Sequence, residues 1–157
     1  MGASLRDRYA AALAVVVCGL LPWLVVRDTT GSITLVMGWG LVNTDPWHVV
    51  TLYEYLGHTP GFSTLPIDLQ AWPIGFLFYL CAIASAISGV AFDREDPRLT
   101  GGLLLLTVVS GLWVWSRFLG LGAFGVVPVA PIAIGVVVWW FYWPRLRSGL
   151  PASDPGR

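Results

Sequence analysis

The sequence predicts an all-α membrane protein, a bundle of four transmembrane helices with a small outward-facing cap made of an extended segment and a short amphipathic helix. Apolar residues make up 56% of the 157-residue chain and charged residues only 11%, whereas about a quarter of the residues of soluble proteins are charged. The apolar residues are also gathered into four runs, each close to the roughly 20 residues that a helix needs to cross a bilayer. The length leaves room for a single domain over residues 1–157.

The four predicted spans are residues 9–26, 71–92, 99–116 and 127–143, and none of them contains a charged residue. Pro73, Pro128 and Pro131 fall in the first turns of their helices, where a proline removes few backbone hydrogen bonds. The first run follows Arg6 and Arg8 as a signal sequence would, but it is long and no small-residue cleavage site follows it. We therefore expect it to be retained as a helix.

Small residues on the second and third spans predict that these two helices pack closely, because membrane helices approach one another through small side chains. Cys18 and Cys81 are expected near the middle of the bilayer as inert packing residues, with contact between them left open. The small residues concerned are Ala82, Ser85, Ala86, Gly89, Gly101, Gly102, Thr107 and Gly111.

The distribution of arginine predicts the orientation in the cell membrane, because cytoplasmic loops carry the excess of basic residues. All nine basic residues are arginine. If both termini are cytoplasmic, seven of these arginines lie inside (Arg6, Arg8, Arg94, Arg98, Arg145, Arg147 and Arg157) and two lie outside (Arg27 and Arg117). The sequence therefore predicts a multi-pass protein with both termini in the cytoplasm.

Residues 27–70 form the predicted cap on the outer side. Apolar residues alternate along 33–42, which is typical of a strand or an extended segment. Asp45 and Pro46 resemble the cap and first residue of a helix. That helix would be amphipathic and end at Gly57, and the segment would return to the membrane through the turn Thr59-Pro60-Gly61. Its apolar face would consist of Val49, Leu52, Tyr53 and Leu56.

The four predicted spans contain no residues that indicate transport or catalysis. Their lack of ionisable residues argues against an ion-coupled transporter or a proton pump, and both histidines lie outside the spans, which argues against intramembrane haem. The zero net charge gives no case for nucleic acid as a partner, and the common catalytic motifs are absent. The sequence therefore predicts no cofactor and no catalytic residue.

Six polar residues are the candidates for ligand binding. Asp45, His48, Glu54, His58 and Asp68 belong to the cap; their types suit a metal, but the spacing of the two histidines matches no tight ligand pattern, so no metal site is predicted. Arg117, at the end of the third span, could bind an anionic lipid headgroup or another ligand. It could equally extend to the interface as an ordinary helix-end arginine, or pair with Asp68 or Glu54.

Several short motifs, in this order along the chain, resemble an uncharacterised family of small four-helix membrane proteins from halophilic archaea. The resemblance covers nearly the whole chain and implies fold, location and lineage, but no catalytic or ligand residues. The motifs are Leu21-Pro22-Trp23, Met37-Gly38-Trp39-Gly40, Tyr55-Leu56, Ala71-Trp72-Pro73-Ile74-Gly75, Arg94-Glu95-Asp96-Pro97-Arg98 and Trp139-Trp140-Phe141-Tyr142-Trp143-Pro144.

Three functions remain open at this point. The favoured one is a non-enzymatic accessory or scaffold component of a membrane assembly, with the lipid bilayer and another membrane protein or a second copy as partners. The second is a binder or carrier of an apolar or lipid-like ligand under the cap. The third is an outward-facing membrane enzyme that uses His48, Glu54, His58 and Asp68.

Overall fold

A five-stranded antiparallel sheet covers one end of a group of packed helices. The structure, a computed structural model, describes residues 5–58, 62–92, 96–120 and 125–147. The helices are α1 (Leu5–Cys18), α2 (Leu52–Gly57), α3 (Ile67–Phe92), α4 (Pro97–Gly120), α5 (Val129–Val137) and α6 (Trp143–Arg147); the strands are β1 (Leu24–Arg27), β2 (Ile33–Met37), β3 (Gly40–Thr44), β4 (Trp47–Thr51) and β5 (Gly125–Val127). A 3-10 turn (Phe62–Thr64) precedes α3, and a π-helical turn (Val138–Tyr142) joins α5 to α6.

The helices pack around one apolar core. α3 contacts both α1 and α4, and α5 contacts α4 and α1. The buried Tyr79 of α3 donates its hydroxyl hydrogen to the backbone carbonyl of Val15 in α1. The hydroxyls of Ser85 and Thr100 lie 2.7 Å apart and join α3 to α4. Polar side chains at these helix contacts are therefore satisfied inside the protein.

The glycines of α4 face different neighbours. A Cβ added to Gly111 would lie 2.6 Å from Cγ of Pro131, and one added to Gly101 would lie 3.2 Å from Cβ of Tyr142, so both glycines face the α5–α6 segment instead of α3. A Cβ on Gly102 would meet nothing within 4 Å. Gly101 and Gly111 thus allow close packing of helices, whereas Gly102 opens outward.

The sheet has the strand order β4-β3-β2-β1-β5, and every neighbouring pair is antiparallel. Its inner face joins the helical core through Leu24, Val36 and Val126. Two indole N–H groups also tie the helices to the sheet: Trp72 donates to the carbonyl of Met37 at 2.9 Å, and Trp115 donates to that of Val126 at 3.0 Å. The sheet is therefore fixed to the helix ends by both apolar burial and hydrogen bonds.

The outer face of the sheet carries an unbroken apolar row. Directly paired residues share a face of a sheet, and the register aligns one residue of each strand in this row, namely Val49, Val42, Leu35, Val25 and Val127. The two edges of the row are open, with Val49 39% and Val127 52% exposed, whereas Val42 within it is buried and Leu35 and Val25 are half-buried. Trp47, on the same face, is 74% exposed. The outer sheet face thus points away from the helices, with its apolar edges and Trp47 exposed.

The predicted all-α bundle of four transmembrane helices is wrong. Among the described residues, two helices (Leu69–Phe92 and Pro97–Gly120) are long and apolar enough to cross a membrane, and the apolar helix Val129–Tyr142 is shorter. The predicted first span breaks because α1 ends at Cys18 and the β-branched residues beyond Pro22 enter strand β1. The start of the predicted fourth span is strand β5, and helix α5 begins only after Pro128.

The cap also differs from its prediction in detail. The alternating segment 33–42 is a hairpin of two strands, β2 and β3, joined at Gly38 and Trp39. Asp45 and Pro46 form the turn between β3 and β4 and do not start a helix. The short helix exists as α2, but it begins at Leu52, because Val49 and its neighbours are paired in β4.

Some sequence predictions concern parts of the chain outside the described residues. These are the turn Thr59-Pro60-Gly61, Arg94, Arg157 and the side chains of Asp68 and Arg145.

Candidate functional site

The junction of β4 and α2 encloses a cleft of about 350 Å³. Both histidines of the chain and one carboxylate line it, together with three apolar or aromatic residues. The lining residues are His48, Val49 and Val50 from β4, Glu54 and Tyr55 from α2, and His58 just beyond the end of α2. The fold thus brings together three of the candidate residues identified from the sequence.

A capping box holds Glu54 in place. Thr51 ends β4 and serves as the N-cap of α2, and its hydroxyl accepts the backbone N–H of Glu54 at 3.2 Å. The Glu54 carboxylate in turn accepts the backbone N–H of Thr51 at 2.8 Å and its hydroxyl at 2.9 Å. Such reciprocal bonds satisfy donors that a helix start leaves open. The direction of the Glu54 side chain is therefore set by the strand-to-helix junction itself.

These hydrogen bonds also favour the ionised form of Glu54. The backbone N–H of Thr51 first, and its hydroxyl second, lower the pKa of Glu54 below its ordinary value, and the nearby His58 and His48 act in the same direction. Hydrogen bonds donated to a carboxylate favour its ionised form. Glu54 is thus a carboxylate at neutral pH.

His58 closes the other end of α2. Its backbone N–H donates to the carbonyl of Glu54 at 3.0 Å, and its ring Nδ1 lies 2.7 Å from the same carbonyl oxygen. A carbonyl oxygen can only accept, so Nδ1 must carry the hydrogen.

Ionised Glu54 supplies negative charge to the cleft. This chemistry suits a small cationic or hydrogen-bond-donating group, such as the amine or guanidinium of a partner side chain. Within the described residues, no three His, Cys, Asp or Glu side chains lie close enough to hold a metal ion.

An aromatic contact joins the cleft to helix α3. The rings of Tyr55 and Trp72 meet edge to face with their centroids 5.7 Å apart. Trp72 is buried and belongs to α3. Movements of α2 are therefore coupled to the first turns of α3.

The remaining candidate residues lie elsewhere. Asp68 stands in the first turn of α3, and its side chain is outside the described part of the structure. Arg117 is exposed in the last turn of α4 and does not line the cleft. Its role toward a lipid headgroup stays a prediction.

Sequence reasoning missed the importance of Thr51. The signal was present, because Thr51-Leu52-Tyr53-Glu54 is a threonine followed three residues later by glutamate, the pattern of a capping box. The Asp45-Pro46 pair, six residues earlier in the chain, offered a second plausible helix start and masked it.

Comparison with known proteins places the chain in a family without adding a function. A search of curated proteins finds no match. Residues 3–150 match the sequence model of a family described as a domain of unknown function. Since this match spans nearly the whole chain, the protein belongs to the DUF8050 family.

Proposed function

We propose that this chain is a non-enzymatic accessory protein of the cell membrane, held in the bilayer by the α3–α4 hairpin and binding another membrane protein through its cap. The observation that carries the proposal is the apolar row on the outer sheet face. The argument has three parts: the location of the helices, the orientation of the chain, and the chemistry of the cap.

The exposure of the helices supports a membrane location. The apolar windows of α3 and α4 are only 28% and 33% buried within the protein, whereas an apolar core helix of a soluble protein is mostly buried. With 24 residues each, the two helices are about 36 Å long, against a hydrocarbon core of about 30 Å. Lipid would cover the exposed apolar side chains, among them Leu77, Leu80, Ile87, Leu105, Leu106 and Val109.

The arginines support an orientation with the cap outside. Chain order places the start of α1, the start of α4 and the end of α6 at the helix ends away from the sheet. Five arginines of the described residues belong to these ends (Arg6, Arg8, Arg98, Arg145 and Arg147), against two at the sheet end (Arg27 and Arg117). By the positive-inside rule the sheet then faces the outer side.

The cap offers a surface with the chemistry of a protein contact. Apolar patches that remain exposed on a folded domain commonly mark interaction sites, and aromatic residues are enriched in interfaces. The outer sheet face combines both through Trp47 and the exposed ends of its apolar row, Val49 and Val127. The cleft lies at the β4 edge of the sheet, where Val49 belongs to both the row and the cleft, and its Glu54 carboxylate suits a basic side chain. The proposed partner therefore presents an apolar surface next to a lysine or arginine.

Photo-crosslinking in native membranes tests this function. A photoreactive residue would be placed at Val49 and, in a second variant, at Val127, the two edges of the apolar row. A third variant with the same residue at Tyr53, which is exposed on α2 and off the row, is the matched control. We expect one adduct of the same mass from the first two variants and none from the third.

Loss of that adduct in Trp47→Ser, with the protein still folded, would add to the support. Adducts that are equally frequent from all three positions would show non-specific capture. A protein that gives no adduct and runs as a monomer in mild detergent would refute the proposal.

A further inference from the structure

The outward side of α4 carries a shallow apolar groove of about 500 Å³ in the half of the helix farthest from the sheet. Its apolar walls include Leu99, Leu106 and Val109, and Arg98 lines its end near the start of the helix. Leu99, Leu106 and Val109 are exposed. The groove is thus long, apolar and basic at one end.

Gly102 forms the floor of the groove. A Cβ at the preceding residue, Gly101, would press on Tyr142, whereas a Cβ at Gly102 would meet no atom within 4 Å. Among the described residues, no neighbouring helix therefore requires a glycine at position 102. Gly102 leaves a notch between the neighbouring leucines.

The length of the groove matches one leaflet of a bilayer. From Arg98 to Val109 the helix rises about 16 Å, close to half of the roughly 30 Å hydrocarbon core. Tyr142 packs beside Gly101, and the exposed Trp139 and Trp143 stack within one turn of Tyr142 with ring centroids 5.5 Å apart. Aromatic residues of this kind gather at the membrane interface, so Arg98 lies at headgroup level.

The positive charge of Arg98 at the headgroup level favours binding of a phosphate. The guanidinium of Arg98 suits a phosphodiester through paired N–H donors. The nearby carboxylate of Asp96 accepts the backbone N–H groups of Arg98 and Leu99 at 2.9 and 3.4 Å, so its charge is directed at the helix start. A ligand with a phosphate and one long aliphatic chain would meet both ends of the groove.

We propose that this groove binds a phospholipid of the surrounding bilayer, with an acyl chain along Gly102 and Val109 and the phosphate at Arg98. The inference rests on the proposed membrane location but not on the proposed partner. It concerns the end of the protein opposite to the cap.

Native mass spectrometry of the detergent-purified protein, mixed with phosphatidylglycerol, tests the proposal. We expect one lipid to stay bound to the wild type. Gly102→Leu fills the notch and should abolish this adduct, while Arg98→Gln should weaken lipid binding about fivefold, the factor contributed by one basic residue at a membrane surface. Gly135→Leu is the matched control, because a Cβ at Gly135 of α5 also meets nothing within 4 Å, and it should bind as the wild type does.

Membrane fractionation of the same variants separates the two proposals. A wild type that sediments with membranes yet retains no lipid would overturn this inference and leave the membrane location standing. A wild type found outside the membrane fraction would overturn both. Equal lipid retention in Gly102→Leu and the wild type would also overturn the inference, as would a change from dimer to monomer in Gly102→Leu without loss of lipid.

Discussion

Replacing two glycines of α4 by alanine should change the stability of the protein in opposite directions. Gly102 and Gly111 are nine positions apart, which places them half a turn out of phase on an α-helix. Alanine in a helix interior is favoured over glycine by about 1 kcal/mol. At Gly102 nothing lies within 4 Å of the new methyl group, so the substitution should raise the free energy of unfolding by about that amount.

At Gly111 the same gain is opposed by a clash. The methyl group would lie 2.6 Å from Cγ of Pro131. That proline is buried near the start of α5, and its side chain is a rigid ring. Overpacking of this kind costs about 1–3 kcal/mol. Because the helix-propensity gain is common to both variants, their difference in unfolding free energy should be about 1–3 kcal/mol, or roughly 2–12 °C in Tm for a chain of this size.

Thermal unfolding in detergent, followed by circular dichroism, measures this difference. The wild type should fall between the two variants or close to Gly111→Ala. Equal shifts in Gly102→Ala and Gly111→Ala would refute the reasoning, because they would mean that Gly111 does not lie against α5.

Three further outcomes are expected. Trp72→Phe removes one indole donor to the sheet and should lower the unfolding free energy by about 1 kcal/mol, measured by the same melts. The pKa of Glu54 is lowered mainly by Thr51, so the stabilisation from the ionised carboxylate is complete above its ordinary pKa and is lost as the pH falls through the lowered one. The protection of the α2 amides from hydrogen exchange, relative to the rate in an unfolded chain at the same pH, should fall in that range, and less so in Thr51→Ala. Cys81 is exposed on α3, and in membranes it should resist a water-soluble maleimide that labels Tyr53→Cys readily; equal labelling would place α3 in water.

The sequence was most informative where a long apolar run had no competing signal. The two central runs, predicted at 71–92 and 99–116, became α3 and α4 with slightly wider bounds. The outer runs combined a helix with a strand, and hydropathy alone does not separate these, since Val25 and Val126 are as apolar in a sheet as in a helix. The pairing of β1 with β5 joins distant parts of the chain and has no local signature.

The cleft could be predicted in its members but not in its arrangement. His48, Glu54 and His58 were identified as candidates because their side chains can bind a metal or take part in acid–base chemistry. Their grouping depends on Thr51, which ends a strand and starts a helix at one position. By residue type alone, Asp68 and Arg117 were equally plausible ligand-binding residues. The structure places Arg117 outside the cleft.

The pairing of β1 with β5 has a consequence for how the chain is made. β1 to β4 follow one another directly and can form a meander as soon as they are synthesised, but β5 emerges only after α3 and α4. Until then the free edge of β1 exposes unpaired backbone groups, which are prone to join with a strand of another molecule. A nascent or truncated chain that ends before β5 should therefore be the form most prone to aggregate, and the arrival of β5 completes and protects the sheet.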